Sequence, residues 1–425
     1  MLLDRSLERV RSAYEEYPRQ FWILVTAGFI DSLGGAILFP FLTLFITSKF
    51  GVGMTEVGLL FGLFFVGSIV GSAVGGALTD RLGRKGVLIF GLAASGISNL
   101  AMGLVGSFAT FFSIASVVGL FSNFGGPAQR AMVADLLPEE KRAQGFAILR
   151  TQHNLAVTIG PAIGGLLAVR SYLPLFVCDT VASVITAIIV WIVVHETKPP
   201  AGPEEPEQTI GQTLAGYRDV LRDSTFAFFL GACALMMLVY MQMNTSLAVF
   251  LRDRHNVSDQ GFGYIVTLNA AMVVLSQFSV TRWTSRYRPL PVMAVGTVLY
   301  AIGFGMYGLV SVYPLFLAAM AIITVGEMVV TPTSEALVAR FAPRDMRGRY
   351  MAAFGLSWSI PSTIGPFLAG LVMDNLDQRW LWFIAGFVGL VAAGAFTLLQ
   401  TRVGDRAGGG DGTGDLHEAG GSEAI

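Results

Sequence analysis

Charged residues are distributed very unevenly along this chain. No Asp, Glu, Lys or Arg occurs in the 44 positions between Lys85 and Arg130, or in the 38 positions between Arg288 and Glu327. A helix needs about 20 apolar residues to cross a bilayer, so each stretch holds two membrane-spanning helices and a tight turn. The whole pattern predicts twelve spans, near residues 20–47, 54–79, 86–106, 109–136, 142–169, 172–194, 225–251, 259–283, 290–310, 313–340, 346–372 and 379–400.

Composition supports an all-α membrane protein embedded in a lipid bilayer. Hydrophobic residues make up 53% of the chain and charged residues only 13%, against about 25% charged in soluble domains. The net charge of −1 argues against a nucleic-acid partner. Cys178 and Cys233 lie in apolar segments and are interpreted as small core residues rather than a disulfide framework. No metal cluster, phosphate loop or nucleophile elbow is recognised, so we expect no enzyme, no cofactor and no metal.

The basic residues predict the orientation of the spans. With the amino terminus inside the cell, 23 Lys and Arg residues fall on the cytoplasmic side and 5 on the outside. Cytoplasmic loops carry an excess of basic residues, so we expect both termini in the cytoplasm and the protein in the cell membrane.

The second half of the chain repeats the first at an offset of 205 residues. Pro127, Pro138 and Arg142 recur as Pro332, Pro343 and Arg347, and residues 126–165 show 12 identities in 40 ungapped positions. An offset that covers six spans indicates a parallel duplication of two pseudo-symmetric six-helix halves.

The repeat and the composition divide the chain into five parts. Residues 20–194 and 225–400 are the two halves, and residues 195–224, rich in Pro and Glu, are the predicted cytoplasmic linker. Residues 1–19 are a cytoplasmic segment, interpreted either as a helix on the membrane surface or as a solvated stub. The tail 401–425 is rich in Gly, Asp and Glu and is predicted to be disordered.

The loop after span 2, residues 76–85, reads GALTDRLGRK and closely resembles the loop signature of the major facilitator superfamily. The resemblance implies the twelve-helix fold of that family and a conformational latch. In that latch Asp80 meets the start of span 11 near Arg347, and Arg84 pairs with Asp135; Arg81 and Gly83 belong to the same motif. The equivalent loop of the second half has Ser285 in place of Asp80, so the latch is expected on one side only. A simple topogenic charge cluster is the alternative.

Glycine and proline form a second motif. Span 5 carries Gly160, Pro161, Gly164 and Gly165, which resembles the antiporter signature of the superfamily and implies export. Span 11 holds a weaker copy, Gly365 and Pro366. Span 2 carries glycines at i+4 spacing, which are expected to face span 11 and let the halves rock: Gly67, Gly71 and Gly75. Ordinary tight packing is the alternative.

Ionisable residues inside spans are costly and point to function. Asp31 in span 1 and Glu327 in span 10 are candidates for proton coupling or for binding a cationic substrate. The resemblance to the major facilitator superfamily implies that spans 1 and 10 line the central cavity. Asp179 in span 6 is expected to make a local hydrogen bond.

Further polar residues are candidates for lining the cavity. Among them, His153 is expected to form a hydrogen bond between helices, and a role as a proton carrier is the alternative. The candidates are Gln152, His153, Asn154, Gln242, Asn244 and Trp358. One departure from the family pattern is Ala115, where many family exporters carry an arginine in span 4.

These features together predict a monomeric transporter that works by alternating access. The expected function is proton-coupled efflux of amphipathic or cationic small molecules, of the multidrug type. Two alternatives remain open: a family transporter of a specific metabolite such as a sugar, and a membrane receptor that binds its ligand without moving it.

Overall fold

The computed structural model describes residues 16–198, 220, 222–343 and 346–408, without the side chains of 143, 347, 348, 352 and 402–408. Every predicted span is a helix. In the first half the helices are Arg19–Leu38 continued by Leu42–Phe50 (span 1), Met54–Leu82 (span 2), Arg84–Leu104 (span 3), Phe108–Ser122 and Gly126–Leu136 (span 4), Glu139–Ala168 (span 5) and Leu173–Val193 (span 6).

The second half repeats this order. Its helices are Ser224–Thr245 and Leu247–His255 (span 7), Asp259–Thr284 (span 8), Pro289–Leu309 (span 9), Tyr313–Phe341 (span 10), Arg347–Asn375 (span 11) and Arg379–Gly408 (span 12). Most of the predicted amino-terminal segment, nearly all of the linker after Lys198 and the tail from 409 lie outside the described residues. Their predicted roles stay predictions.

Three spans are interrupted. Span 1 tightens into a 3-10 turn at Phe39–Phe41, where Pro40 lacks the N–H that a continuous helix would need. Span 7 is interrupted at Ser246, which corresponds to Phe41 at the offset of 205. Span 4 is broken at Asn123, before a second helix that begins with Gly126 and Pro127. The first two interruptions are therefore one feature of the duplicated unit.

Length and composition allow eleven of the described helices to cross a membrane. The twelfth, Glu139–Ala168, is 30 residues long but begins with four charged residues and carries Arg150 and several polar side chains along its length. Elsewhere large apolar side chains point outwards: Leu275 is 81% exposed and Phe278 is 78% exposed. An outward apolar surface is what lipid tails require, whereas a soluble protein would bury these side chains.

Helix packing follows the duplication. Within the first half, span 1 packs against spans 5 and 6, span 2 against span 4, and span 3 against span 6. Within the second half, span 7 packs against spans 11 and 12, and span 9 against spans 10 and 12. The halves meet mainly through two helix pairs, spans 2 and 11 and spans 5 and 8, and the repeat relates one pair to the other. The second helices of spans 1 and 7 also contact each other across the halves.

The glycines Gly67, Gly71 and Gly75 of span 2 pack against span 4 and not, as was predicted, against span 11. A Cβ on Gly71 would lie 1.8 Å from the carbonyl oxygen of Leu120, and one on Gly75 would lie 2.1 Å from that of Phe124. Both neighbours belong to span 4 of the same half. The expectation that this stripe faces span 11 is therefore wrong.

A different glycine of span 2 makes the contact with span 11. A Cβ on Gly58 would lie 2.4 Å from the carbonyl oxygen of Pro366. Gly58 and Gly67 are nine positions apart, or about two and a half helical turns, so they occupy opposite faces of the helix. One face of span 2 therefore packs within its own half, and the other packs against the partner half.

Gly71→Leu should destabilise the first half rather than alter the movement between halves. The obstructing atom is a backbone carbonyl, which cannot rotate away, so we expect a loss of about 1–3 kcal/mol in the free energy of unfolding. Thermal unfolding in detergent measures the effect. Gly231→Leu is the matched control, because no atom lies within 4 Å of a Cβ at that position. Equal unfolding temperatures for the two variants would contradict the packing described.

Candidate functional site

The loop between spans 2 and 3 lies on the side of the bundle where span 1 begins, called here the terminal side. The Nε atom of Arg84 lies 3.0 Å from Oδ2 of Asp135 in span 4. The side chain of Asp80 is 79% exposed, and its one ionic contact among the described side chains is Arg84, at 3.9 Å. The side chain of Arg347 is not among those described, so the predicted contact of Asp80 with span 11 stays a prediction.

The same loop is held by a residue that the motif analysis did not select. The carboxylate of Glu196, just after span 6, accepts the backbone N–H of Arg84 at 2.9 Å and of Lys85 at 3.1 Å. These N–H groups open span 3 and have no partner within their own helix. Glu196 also accepts the N–H groups of Thr197 and Lys198. It therefore ties the chain leaving span 6 to the start of span 3.

Two members of the motif complete this arrangement. The carbonyl oxygen of Arg81 accepts a hydrogen bond from Nζ of Lys198 at 2.8 Å. Gly83 has a φ of 107°, a backbone conformation that residues with a side chain rarely adopt. A Cβ at this position would lie 2.6 Å from the carboxylate of Glu196. Partial burial disfavours the charged form of Glu196, but four backbone N–H donors outweigh this effect and hold the pKa of the carboxyl below its usual range.

Glu327 of span 10 lies in a polar and aromatic pocket inside the second half. Its carboxylate accepts hydrogen bonds from the hydroxyl of Tyr240 at 2.9 Å and from Nδ2 of Asn269 at 2.8 Å. The ring of Trp358 lies edge-on to Tyr240 at 6.4 Å between centroids. Tyr300 is 1% exposed, and its buried hydroxyl has no hydrogen-bond partner among the described residues. Spans 7, 8, 9, 10 and 11 thus all contribute to this pocket.

Asp31 and Asp179 lie inside the first half. The hydroxyl of Ser183 donates to Asp31 at 2.7 Å, and Nδ2 of Asn99 donates to Asp179 at 2.5 Å. Asp31 also borders a cavity of about 160 Å³ between spans 1, 3, 4 and 6. The described contacts of Asp31 and Glu327 belong to different halves, so the two carboxylates do not form a joint site in this conformation.

A cavity of about 520 Å³ lies between the halves, bordered by spans 2, 4 and 11. Of the six predicted lining residues, Trp358 borders it, together with Ser359 and Ser362. The other five lie elsewhere. Gln242 accepts a hydrogen bond from Ser246 at the break in span 7, and His153 lies 3.4 Å from the hydroxyl of Ser32 in span 1.

The remaining three predicted lining residues are spread over spans 5 and 7. Oε1 of Gln152 is buried and has no partner among the described residues. Asn154 is exposed and Asn244 is half-buried. A polar residue in a span thus does not by itself show which cavity the residue borders.

The glycine–proline motif of span 5 contacts two different helices. A Cβ on Gly160 would lie 2.5 Å from Cβ of Ala36 in span 1, and one on Gly164 would lie 2.4 Å from the carbonyl oxygen of Ile37. Gly165 faces Gly263 of span 8 across the halves, with a Cβ-to-Cα separation of 3.0 Å. In the copy in span 11, Gly365 faces span 7 at ordinary distances, while Pro366 faces span 2.

Twelve helical spans in two repeated halves, with buried carboxylates and a cavity between the halves, define a multi-pass membrane transporter. The family model of the Major Facilitator Superfamily matches residues 24–258 and 243–415. The chain therefore belongs to the Major Facilitator Superfamily.

Relatives of known sequence agree with this assignment. A Na(+), Li(+), K(+)/H(+) antiporter of Planococcus maritimus is 26% identical over 91% of this chain and 95% of its own length. The multidrug resistance protein MdtH of Salmonella paratyphi B is 22% identical over 87% of this chain and 91% of its own length.

Solved structures show the same fold. The nucleoside transporter NupG, crystallised as a point mutant, superposes with a TM-score of 0.76 at 14% identity, over 90% of this chain and all of that one. A bacterial homologue of the human lysosomal transporter Spinster, in an inward-facing and unoccupied conformation, superposes with a TM-score of 0.72 at 16% identity, over 91% of this chain and 97% of that one.

Glu196→Gln should loosen the contact between the span 2–3 loop and the chain after span 6. Because the carboxylate is largely exposed, we expect a modest loss of about 1 kcal/mol in the free energy of unfolding at neutral pH. A lowered pKa stabilises the fold above the unfolded value of about 4.3, and this stabilisation is lost as the pH falls through the lowered pKa. The difference from the unmodified protein should therefore vanish in acid.

Denaturant unfolding at several pH values measures this difference. The exposed Glu140, in the first turn of span 5 on the same side, supplies the control variant Glu140→Gln. A difference between Glu196→Gln and the unmodified protein that stays constant down to the lowest pH would argue against a charged cap.

Proposed function

We propose that this transporter exports amphipathic or cationic small molecules in exchange for protons. In this proposal it lies in the cell membrane with both termini in the cytoplasm, and it alternates between states open to either side. The observation that carries the proposal is Glu327, a carboxylate placed within a span beside Tyr240, Asn269 and Tyr300, with Trp358 against the ring of Tyr240.

The surroundings of Glu327 suit a group that changes its charge. A charged side chain at the centre of a span costs about 2.5–3.5 kcal/mol on insertion scales. Two donors, Tyr240 and Asn269, satisfy the ionised carboxylate. When the carboxyl carries a proton, the charge is neutralised and the cost of burial falls. A cationic substrate neutralises the carboxylate equally well, so proton and substrate compete for one group.

Aromatic rings beside the carboxylate extend this chemistry to organic cations. The faces of Tyr and Trp rings attract cations, and the rings also offer apolar area to an amphipathic molecule. Trp358 joins the Glu327 pocket to the cavity between the halves. The relative named as a multidrug resistance protein gives independent support for this substrate class.

Glu327→Gln should abolish proton-driven export while leaving exchange intact. The amide keeps the shape of the carboxyl and can hydrogen-bond to Tyr240, but it cannot take up a proton. In liposomes with a pH gradient, we expect accumulation of a fluorescent organic cation to fall at least about tenfold, as expected when a coupled group is removed. Exchange of labelled for unlabelled cation without a gradient should continue.

The exposed Glu139 at the start of span 5 provides the control variant Glu139→Gln, which should accumulate the cation normally. If the purified Glu327→Gln protein still concentrates the cation against its gradient when driven by pH alone, proton coupling through Glu327 is refuted.

Asp80→Asn should strongly reduce transport without reducing the amount of folded protein. In this proposal Asp80 meets the start of span 11 only when the terminal side closes, so the exposed carboxylate seen here is the open form of the latch. Removing one charge biases the equilibrium between the two states. Transport by cells that contain equal amounts of the variant and the parent protein measures the effect, and equal rates would exclude the latch.

Exchange of monovalent metal ions for protons is a second candidate, favoured by a specific observation. Asp31 and Asp179 lie in neighbouring helices of one half, with the oxygen of Ser183 and the amide of Asn99 bonded to them. Carboxylate and hydroxyl oxygens suit hard cations. One relative is named as a Na(+), Li(+), K(+)/H(+) antiporter. Proton movement in liposomes on addition of NaCl or KCl, lost in Asp31→Asn, would favour this candidate over organic-cation export.

A further inference from the structure

Asp374 connects the two halves at the side of the bundle opposite the terminal side. It lies at the end of span 11, and its carboxylate accepts the backbone N–H of Met54 at 2.9 Å and of Thr55 at 2.7 Å. These N–H groups open span 2, and the first N–H groups of a helix have no partner within that helix. A negative charge is also favoured at this end of a helix. Asp374 therefore caps a helix of the other half.

The helices beneath this cap are in close contact. A Cβ on Gly370 would lie 2.3 Å from the carbonyl oxygen of Met54, and one on Gly58 would lie 2.4 Å from that of Pro366. Backbone therefore meets backbone between spans 2 and 11 near Asp374. Such contact is possible only while this side of the bundle is closed, so the cap and the closed state depend on each other.

The cavity between the halves lies further along the same helix pair, away from Asp374. Spans 2 and 11 are antiparallel, and the 520 Å³ cavity lies between residues 65–73 of span 2 and residues 358–362 of span 11. Beyond it, at the terminal side, the Asp80 side chain is 79% exposed. Each of the two helices thus finishes with a carboxylate, and the described hydrogen bonds between spans 2 and 11 are those of Asp374.

We propose that Asp374 is a positioning residue of the transport cycle, which latches the outer side of the protein while the cavity is open to the cytoplasm. The proposal rests on the alternating access and on the orientation given under the proposed function. For the outer side to open, both hydrogen bonds to Met54 and Thr55 must break. Asp374 thereby sets the population of the inward-open state.

Asp374 does not hold the outer side alone. The hydroxyl of Tyr172 donates to Asp259 at 2.6 Å where span 6 of one half approaches span 8 of the other. Nη1 of Arg252 also donates to the hydroxyl of Ser48 across the halves at 2.5 Å. Loss of Asp374 is therefore expected to shift the equilibrium rather than separate the halves, and Tyr172→Phe should shift it further in the same direction.

Accessibility of a single cysteine tests the latch without any substrate. Cys178 and Cys233 are replaced by alanine, and Ser359, which borders the cavity, becomes the only cysteine. In this parent, a membrane-impermeant maleimide should label inside-out vesicles quickly and intact cells slowly. Asp374→Ala should raise the labelling rate of intact cells about tenfold or more, because two hydrogen bonds to a charged group are lost.

Asp377 supplies the matched control. It lies three positions further along the chain, but its carboxylate bonds to Arg254 and to the backbone of Arg379, both in its own half. Asp377→Ala should leave the labelling of intact cells unchanged. Asp374→Asn, which keeps one acceptor oxygen, should give a smaller increase than Asp374→Ala and serves as the test if the alanine variant does not fold.

The outcome is independent of the exported compound. Faster outside labelling in the Asp374 variants, with none in Asp377→Ala, supports the latch even if an export assay shows that the proposed substrate class or proton coupling is wrong. Equal labelling of the parent and both Asp374 variants overturns the latch, even if proton-driven export is confirmed. A parent that is labelled equally from both sides also overturns it, because no closed outer side would then exist.

Discussion

The need to satisfy every backbone N–H and C=O group without water is the constraint on which the rest of this structure depends. In a bilayer core only a helix or a closed barrel meets it, and all twelve spans are helical. The remaining unpaired N–H groups lie at helix ends and breaks. Glu196 and Asp374 both bind such ends, each in another segment of the chain. A conformational contact can form there because a helix end offers several donors and is within reach of another helix.

The second constraint is the cost of charge within the spans. Each intramembrane carboxylate described here has a donor beside it: Ser183 for Asp31, Asn99 for Asp179, and Tyr240 for Glu327. Each of these donors lies in the same half as the carboxylate to which it donates. These three acids thus keep their partners when the halves move, whereas the ion pair between Arg150 of span 5 and Glu335 of span 10, at 2.6 Å, joins the two halves.

Duplication explains which helices pack together and where spans 1 and 7 are interrupted. Positions that differ between the two halves make the two helix pairs at the interface chemically different. The repeat relates the contact of spans 2 and 11 to that of spans 5 and 8, and the break in span 1 to the break in span 7. The carboxylates Asp80 and Asp374 are not repeated: Ser285 stands at the position equivalent to Asp80, and Val169 at that equivalent to Asp374. In the pair of spans 2 and 11, each helix therefore finishes with a carboxylate, Asp80 or Asp374, whereas spans 5 and 8 have none at the corresponding positions.

The sequence by itself determined the number of spans, the duplication and the family, because hydrophobic length and a 205-residue offset are properties of the chain alone. It also identified Arg84 and Asp135, which lie 3.0 Å apart. Only the tertiary structure decided which neighbour each helix face meets. The glycine stripe of span 2 was assigned to span 11 but packs against span 4, because periodicity defines a face and not its partner. Glu196 and Asp374 were missed for the same reason, since a carboxylate at a helix end becomes a cap only when folding brings another helix start to it.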